Sequence, residues 1–258
     1  MANYLKTSDI AKEIGVHVNT VRLYESYGFL SSVPRSPSGY RLFTQLHLEQ
    51  MRLARLALTW PYIGKKQVIV DLIQCAADGD MGMAMELAYE HLINVRIERT
   101  HAEAAIEFLE RWAQGQMLDT TQHSLNIGAT AQHLGVSVDQ LRNWDRSGLI
   151  DVPRDPTTHY RIYRATEIGR LRVIRILRQS GYSVMAILRM LRQFDTGEKA
   201  HLREALDTPG DNEYIETIAD RWLTTLKEQE ERAQEIIRQI TVLINLTIDA
   251  SHYSAETD

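Results

Sequence analysis

The sequence predicts a mainly α protein: two winged helix-turn-helix domains, each followed by a long coiled-coil helix, together forming a pseudo-dimer. Three observations carry this. Ile10–Leu30 recurs without a gap as Thr130–Ile150, keeping Ala11/Ala131, Gly15/Gly135, Val16/Val136, Val18/Val138, Arg22/Arg142 and Gly28/Gly148. Net positive charge falls in two blocks, one around each copy. Each copy then runs into a long helical pattern with an apolar seam.

In each copy Ile10, Ala11 and Ile14, or Ile127, Ala131 and Leu134, form one helical face. Thr7 or Ser8 is expected to cap the first such helix. Gly15 and Gly135 break it, because glycine accepts the left-handed backbone of a tight corner. A second helix follows, with Val18 and Val21, or Val138, Leu141 and Trp144, facing inward. Two short helices joined this way make a helix-turn-helix, whose second helix can enter a major groove. Its outward positions are Asn19, Thr20, Arg22, Leu23 and Ser26, then Asp139, Gln140, Arg142, Asn143 and Arg146. Such side chains reach base edges and phosphates.

VPRSPSGYRLF (Val33–Phe43) and VPRDPTTHYRIY (Val152–Tyr163) come next, differing by one residue in spacing. Pro34, Pro37 and Gly39 signal turns, and Tyr40 and Leu42 alternate with Arg41 and Phe43. The expected structure is a two-stranded hairpin, a wing. His159 stands where the first copy has Gly39, so the second tip is expected to find another turn geometry.

The seams step by three and four, the coiled-coil spacing. One runs through Met85, Ala88, Leu92, Val95, Arg99, Ala102, Ile106, Leu109 and Ala113. The other runs through Ile215, Ala219, Trp222, Leu226, Gln229, Ala233, Ile236, Ile240 and Leu243. Each has a polar residue at its centre. Antiparallel pairing within one chain sets Arg99 against Gln229; self-pairing in a homodimer sets Arg99 against Arg99, which is costly at a dry seam. An intramolecular pseudo-dimer is therefore favoured, with a homodimer left open. The expected divisions are 1–76 (first winged helix), 77–115 (long helix), 116–124 (linker), 125–194 (second winged helix), 195–212 (connecting loop or short helix), 213–248 (long helix) and 249–258 (tail).

Net charge is −5 over 258 residues, which taken alone argues against nucleic acid. Its distribution argues the other way. Residues 1–75 hold 9 Lys+Arg against 5 acids, and residues 125–194 hold 11 Arg, no Lys and 5 acids. The remainder holds 9 Lys+Arg against 24 acids. A basic face attracts phosphate, and an acidic remainder limits indiscriminate sticking.

The string from Ile10 through Phe43, with TVRLYE, GFL and GYRLF, resembles the mercury-resistance-regulator (MerR) family of bacterial transcription factors, in a tandem two-copy form. The resemblance implies DNA contact by the recognition-helix arginine and tyrosine and by the wing Tyr-Arg. In this chain those positions are Arg22, Tyr24, Tyr40 and Arg41, then Arg142, Trp144, Tyr160 and Arg161. With the helix-exposed Asn19, Thr20, Asp139 and Gln140 they make up the expected DNA-binding set. The second copy departs at Trp144, Asp145 and His159. The resemblance also implies double-stranded promoter DNA and RNA polymerase as partners, with a bent and untwisted promoter. The alternative is an architectural or recombination accessory protein that bends DNA without a polymerase role.

No enzymatic motif is present: there is no phosphate-binding glycine loop, no nucleophile elbow and no paired-carboxylate logic. A single cysteine, Cys75, excludes an internal disulfide and a cysteine-based zinc site, and the scattered histidines suggest no metal. No cofactor is implied. No apolar run reaches the ~20 residues of a membrane span, and no signal-peptide core opens the chain, so a cytoplasmic location is expected.

Overall fold

The computed structural model describes residues 4–59, 62–116, 124–209 and 218–255. The 116–124 linker expected from the sequence, the Pro209-Gly210 turn, Trp60 and the seam positions Ile215 and Ala219 lie wholly or partly outside what is described. The described chain is helical: α1 (Thr7–Ile14), α2 (Val18–Ser26), α3 (Gln45–Ala57), α4 (Lys66–Asp78) and α5 (Met81–Ala113) are followed by α6 (Ile127–Leu134), α7 (Val138–Arg146), α8 (Ala165–Gln179), α9 (Val184–Asp195) and α10 (Leu202–Asp207). A 3₁₀ turn, Ile218–Arg221, leads into α11 (Trp222–Ala255). Two compact units form: residues 1–96 with 228–258, and residues 97–227. Head 1 (α1–α4) lies in the first and head 2 (α6–α9) in the second. The division cuts both long helices, so each unit holds part of α5 and part of α11.

Local chemistry explains the short helices. Lys6, not Thr7 or Ser8, is the N-cap of α1; the Asp9 carboxylate accepts its N–H at 2.8 Å. Thr7 and Ser8 are already helical and so cannot cap. In head 2, Asn126 Oδ1 accepts the Ala129 N–H at 2.9 Å. Both first helices end at a left-handed glycine, Gly15 at φ 72° and Gly135 at φ 63°.

The first unit has one core. Ile10, Val21, Phe29, Phe43, Met51 and Leu72 of head 1 pack with Ala84 and Ala88 of α5 and with Ile236, Ile240 and Leu243 of α11. Burying each large side chain of this kind contributes about 1.5–3 kcal/mol, so the end of the chain stabilises its beginning. Polar contacts fix the docking. Gln239 Nε2 donates to Glu49 Oε2 at 2.8 Å, and Arg232 donates to the Thr59 carbonyl at 3.1 Å. Farther from the head, Arg96 pairs with Glu230 at 2.8 Å. Within this unit α5 leaves the head while α11 returns to it, so the two stretches are antiparallel.

The second unit is built similarly from the other halves. The Trp112 ring of α5 stacks on Phe194 of α9, centroids 4.4 Å apart. Trp222 Nε1 of α11 donates to the Ser180 carbonyl at 2.7 Å. Helix α10 packs on α9, and its Asp207 carboxylate accepts the Leu223 N–H at 2.9 Å, capping α11. Most seam residues are buried: Ala88, Leu92, Val95, Ala102, Ile106, Leu109 and Ala113 on α5, with Leu226, Gln229, Ala233, Ile236, Ile240 and Leu243 on α11. Met85, Arg99 and Trp222 are only half-buried.

The expected two-stranded wing is reduced to isolated bridges. Arg35 pairs with Arg41 and Arg154 with Arg161, and the returning chain pairs again with the segment before each first helix, Leu5 with Phe43 and Leu125 with Tyr163. Pro34 and Pro37, like Pro153 and Pro156, have no N–H to donate, which prevents a longer ladder. The second tip does use another turn, although His159 itself adopts the left-handed conformation, φ 58°, as Gly39 does at φ 83°. The extra residue is absorbed beneath it. Gly39 N–H bonds to Ser36 O, three residues back, whereas His159 N–H bonds to Asp155 O, four back, at 2.9 Å.

Candidate nucleic-acid interface

Each recognition helix is capped by a side chain. His17 Nδ1 accepts the Asn19 N–H at 3.2 Å. Ser137 and Gln140 form a reciprocal capping box: Ser137 Oγ accepts the Gln140 N–H at 3.0 Å, and Gln140 Oε1 accepts the Ser137 N–H at 2.8 Å. Val21 and Leu141 anchor the inner faces. That leaves Asn19 and Arg22 exposed on α2, and Asp139, Gln140 and Arg142 exposed on α7; Thr20 is half-buried. The wing tyrosines are the most exposed of the large hydrophobic residues described, Tyr40 at 74% and Tyr160 at 76%.

The structure places the expected residues in different settings. Asn19, Arg22, Tyr40 and Tyr160 are exposed, and no side-chain ion pair engages them among the described residues. Asp139 and Arg142 are also exposed but face each other, at 3.1 Å. Tyr24 and Trp144 are buried, 9% and 7% exposed. Tyr24 meets Phe29 edge-on, centroids 5.5 Å apart. These rings hold the recognition helix on its head, since their apolar surface gains more from the core than from water.

Arg41 and Arg161 are half-buried because each is tied to the recognition helix. Arg41 Nε donates to Glu25 Oε2 at 2.6 Å. Arg161 donates from Nε at 2.8 Å and from a terminal nitrogen at 2.6 Å, both to Asp145 Oδ2. The sequence reading missed this link. The signal was an acid retained at the same place in both copies, opposite an arginine retained at the same place in both wings. A second brace was missed too: Arg35 donates to the Gly39 carbonyl at 3.4 Å, and Arg154 to the His159 carbonyl at 3.1 Å. In head 2 the Asp155 carboxylate gathers the Thr157 and Thr158 N–H groups at 2.9 and 2.7 Å. Those N–H donors, Thr158 first, lower the Asp155 pKa below the ordinary carboxylate value.

No described helix is long and apolar enough to cross a membrane. Among the described residues no group of three or more His, Cys, Asp and Glu gathers as metal ligands would.

Both heads match known families. Residues 6–43 match the MerR family regulatory protein, and residues 125–193 match the MerR HTH family regulatory protein. The chain is 26% identical over 116 residues to a probable heavy metal-dependent transcriptional regulator of Haemophilus influenzae, covering 45% of this chain and 82% of that protein. It is 27% identical over 129 residues to the mercuric resistance operon regulatory protein of Shigella flexneri, covering 50% of this chain and 78% of the relative. The HTH-type transcriptional regulator CueR of Salmonella typhi is 40% identical over 53 residues, 20% of this chain and 38% of CueR. No solved structure matches significantly. With the same helix-turn-helix, bridged loop and long helix built at both positions, the two matches and these relatives support a two-copy protein of the MerR family.

Proposed function

We propose that this protein is a sequence-specific regulator of transcription that binds double-stranded promoter DNA with both heads. It bends and untwists the promoter so that RNA polymerase meets its two elements in line. The observation that carries this reading is the repeated coupling of recognition helix to wing arginine, Glu25–Arg41 and Asp145–Arg161. A guanidinium fixed to the recognition helix keeps wing and helix in one register, which suits a phosphate contact that positions base-reading side chains. DNA bending of this kind costs several kcal/mol, offset by contacts from both heads.

The two heads of one binding unit come from one chain in this reading. Its support is the core of the first unit, which Ile236, Ile240 and Leu243 complete from the same chain. Because the heads differ at Asn19/Asp139, Thr20/Gln140 and Leu23/Asn143, the two half-sites should be unequal.

Selection of bound sequences from a random DNA pool tests the reading directly. An imperfect palindrome with two unequal halves is expected; a perfect palindrome, or no enriched sequence, counts against it. Transcription in vitro from a selected promoter should change when the protein is added. No change, with DNA still bent in a circular-permutation assay, would favour an architectural role. Light scattering of the full chain should give a mass near the 29.6 kDa of one copy.

A further inference from the structure

Head 2 carries a cleft on the flank of its recognition helix. It holds about 390 Å³ between α7 and α8, with Gln140, Asn143 and Ser147 on one wall and Arg175, Arg178 and Gln179 on the other. Extending the repeat without a gap beyond Phe43 and Tyr163 gives the corresponding residues of head 1: Thr20, Leu23 and Tyr27, then Arg55, Leu58 and Thr59. Only the first arginine is shared. Head 1 shows exposed Leu23 and Tyr27 where head 2 has two polar residues, and Leu58 where head 2 has its second arginine.

The cleft is rich in donors, and no carboxylate lines it. Arg175 is held by the Leu134 carbonyl at 2.6 Å, and Arg178 by the Tyr182 carbonyl. Neither forms an ion pair among the described residues, whereas Arg142, Arg161 and Arg170 each face a carboxylate. Arg175 Nε is buried without a partner. A guanidinium has five N–H donors, so one carbonyl each fixes the orientation and leaves donors over. The amides add donors: Gln140 Oε1 accepts the Ser137 N–H and Asn143 Oδ1 accepts from Arg146, which orients each amide and leaves its NH₂ to offer.

We propose that this cleft binds a phosphate group, a site that head 1 has replaced with apolar side chains. Fixed, unpaired arginines with amide donors suit the oxygens of a phosphate. The phosphate belongs to a DNA strand or to a free phosphorylated small molecule, and experiment separates the two. Only the first source rests on the DNA-binding function proposed above.

The test uses the full chain and two variants that install head 1's letters: Arg178→Leu, which removes a charge, and Ser147→Tyr, which fills the cleft and leaves both arginines. Circular dichroism checks that each is folded. One arm titrates inorganic phosphate calorimetrically at constant ionic strength. The other measures DNA affinity against salt. A strand phosphate predicts that Arg178→Leu lowers the slope of log K against log[salt] by about 1, that Ser147→Tyr weakens binding as well, and that inorganic phosphate gives no heat. A free phosphate predicts saturable heat with the wild type, lost in both variants, with the salt slope unchanged. Unaltered behaviour of both variants in both arms overturns the site. If the wild type binds no DNA at low salt, the proposed function falls, and the phosphate arm alone decides the cleft: saturable heat keeps it, and no heat overturns it.

Discussion

Glu25 grips Arg41 through Nε alone, at 2.6 Å, while Asp145 grips Arg161 through both Nε and a terminal nitrogen. The shorter aspartate draws its arginine into a two-point hold on one oxygen. Arg41 therefore keeps both terminal nitrogens for another partner, and Arg161 keeps one.

Unequal wings follow. Arg41→Ala should weaken DNA binding about tenfold and lower the salt slope by about 1, as loss of one phosphate contact does. Arg161→Ala should cost less. Fluorescence anisotropy over a salt series measures both, and equal losses would contradict the difference in geometry. Folding stability should change little, because both ion pairs are partly solvated.

Asp139 faces Arg142 on the exposed side of α7, 3.1 Å away. Asp139→Asn removes a negative charge from the outward row and frees the guanidinium. Affinity for random-sequence DNA should rise several-fold at low salt, with the gain shrinking as salt is added. A fall in affinity would instead make Asp139 a reader of bases.

Gly181 and Gly15 should respond differently to alanine. Both have positive φ, 93° and 72°. A Cβ at Gly181 would lie 2.6 Å from Trp222 Nε1, while a Cβ at Gly15 meets nothing within 4 Å. Gly15→Ala should cost about 1 kcal/mol of backbone strain. Gly181→Ala should cost about 2–4 kcal/mol, since the indole that bonds Ser180 must also move. Urea unfolding followed by tryptophan fluorescence compares them. His159→Gly, at φ 58°, should stabilise by about 0.5–1 kcal/mol.

His91 is buried on α5, and desolvation first, then the Arg232 charge, lowers its pKa. Desolvation lowers the pKa of buried His47 as well. The unfolded chain then binds protons that the folded chain refuses. Stability is complete above the ordinary histidine value of about 6.5 and is lost as pH falls from there toward the folded pKa. Urea midpoints between pH 8 and 5 should drop for the wild type, and His91→Gln should flatten part of that fall.

Much of this was written locally. The glycine corners and the apolar seams depend on neighbours a few residues apart, and the repeat let one copy check the other. The outward row of α2 and α7 was legible for the same reason, since helical period sets which side chains share a face. Only the tertiary structure decided which of those residues are free. Packing set the Tyr24 and Trp144 rings into their heads, and chain reversal brought Arg41 to Glu25, sixteen residues away. Packing also joined Gln239 to Glu49 across 190 residues. Prolines cut the expected wing ladder to single bridges, and a histidine accepted a glycine's conformation because Asp155 ordered the loop beneath it. Such outcomes rest on burial and on contacts between distant segments, and neither has a period that a sequence can display.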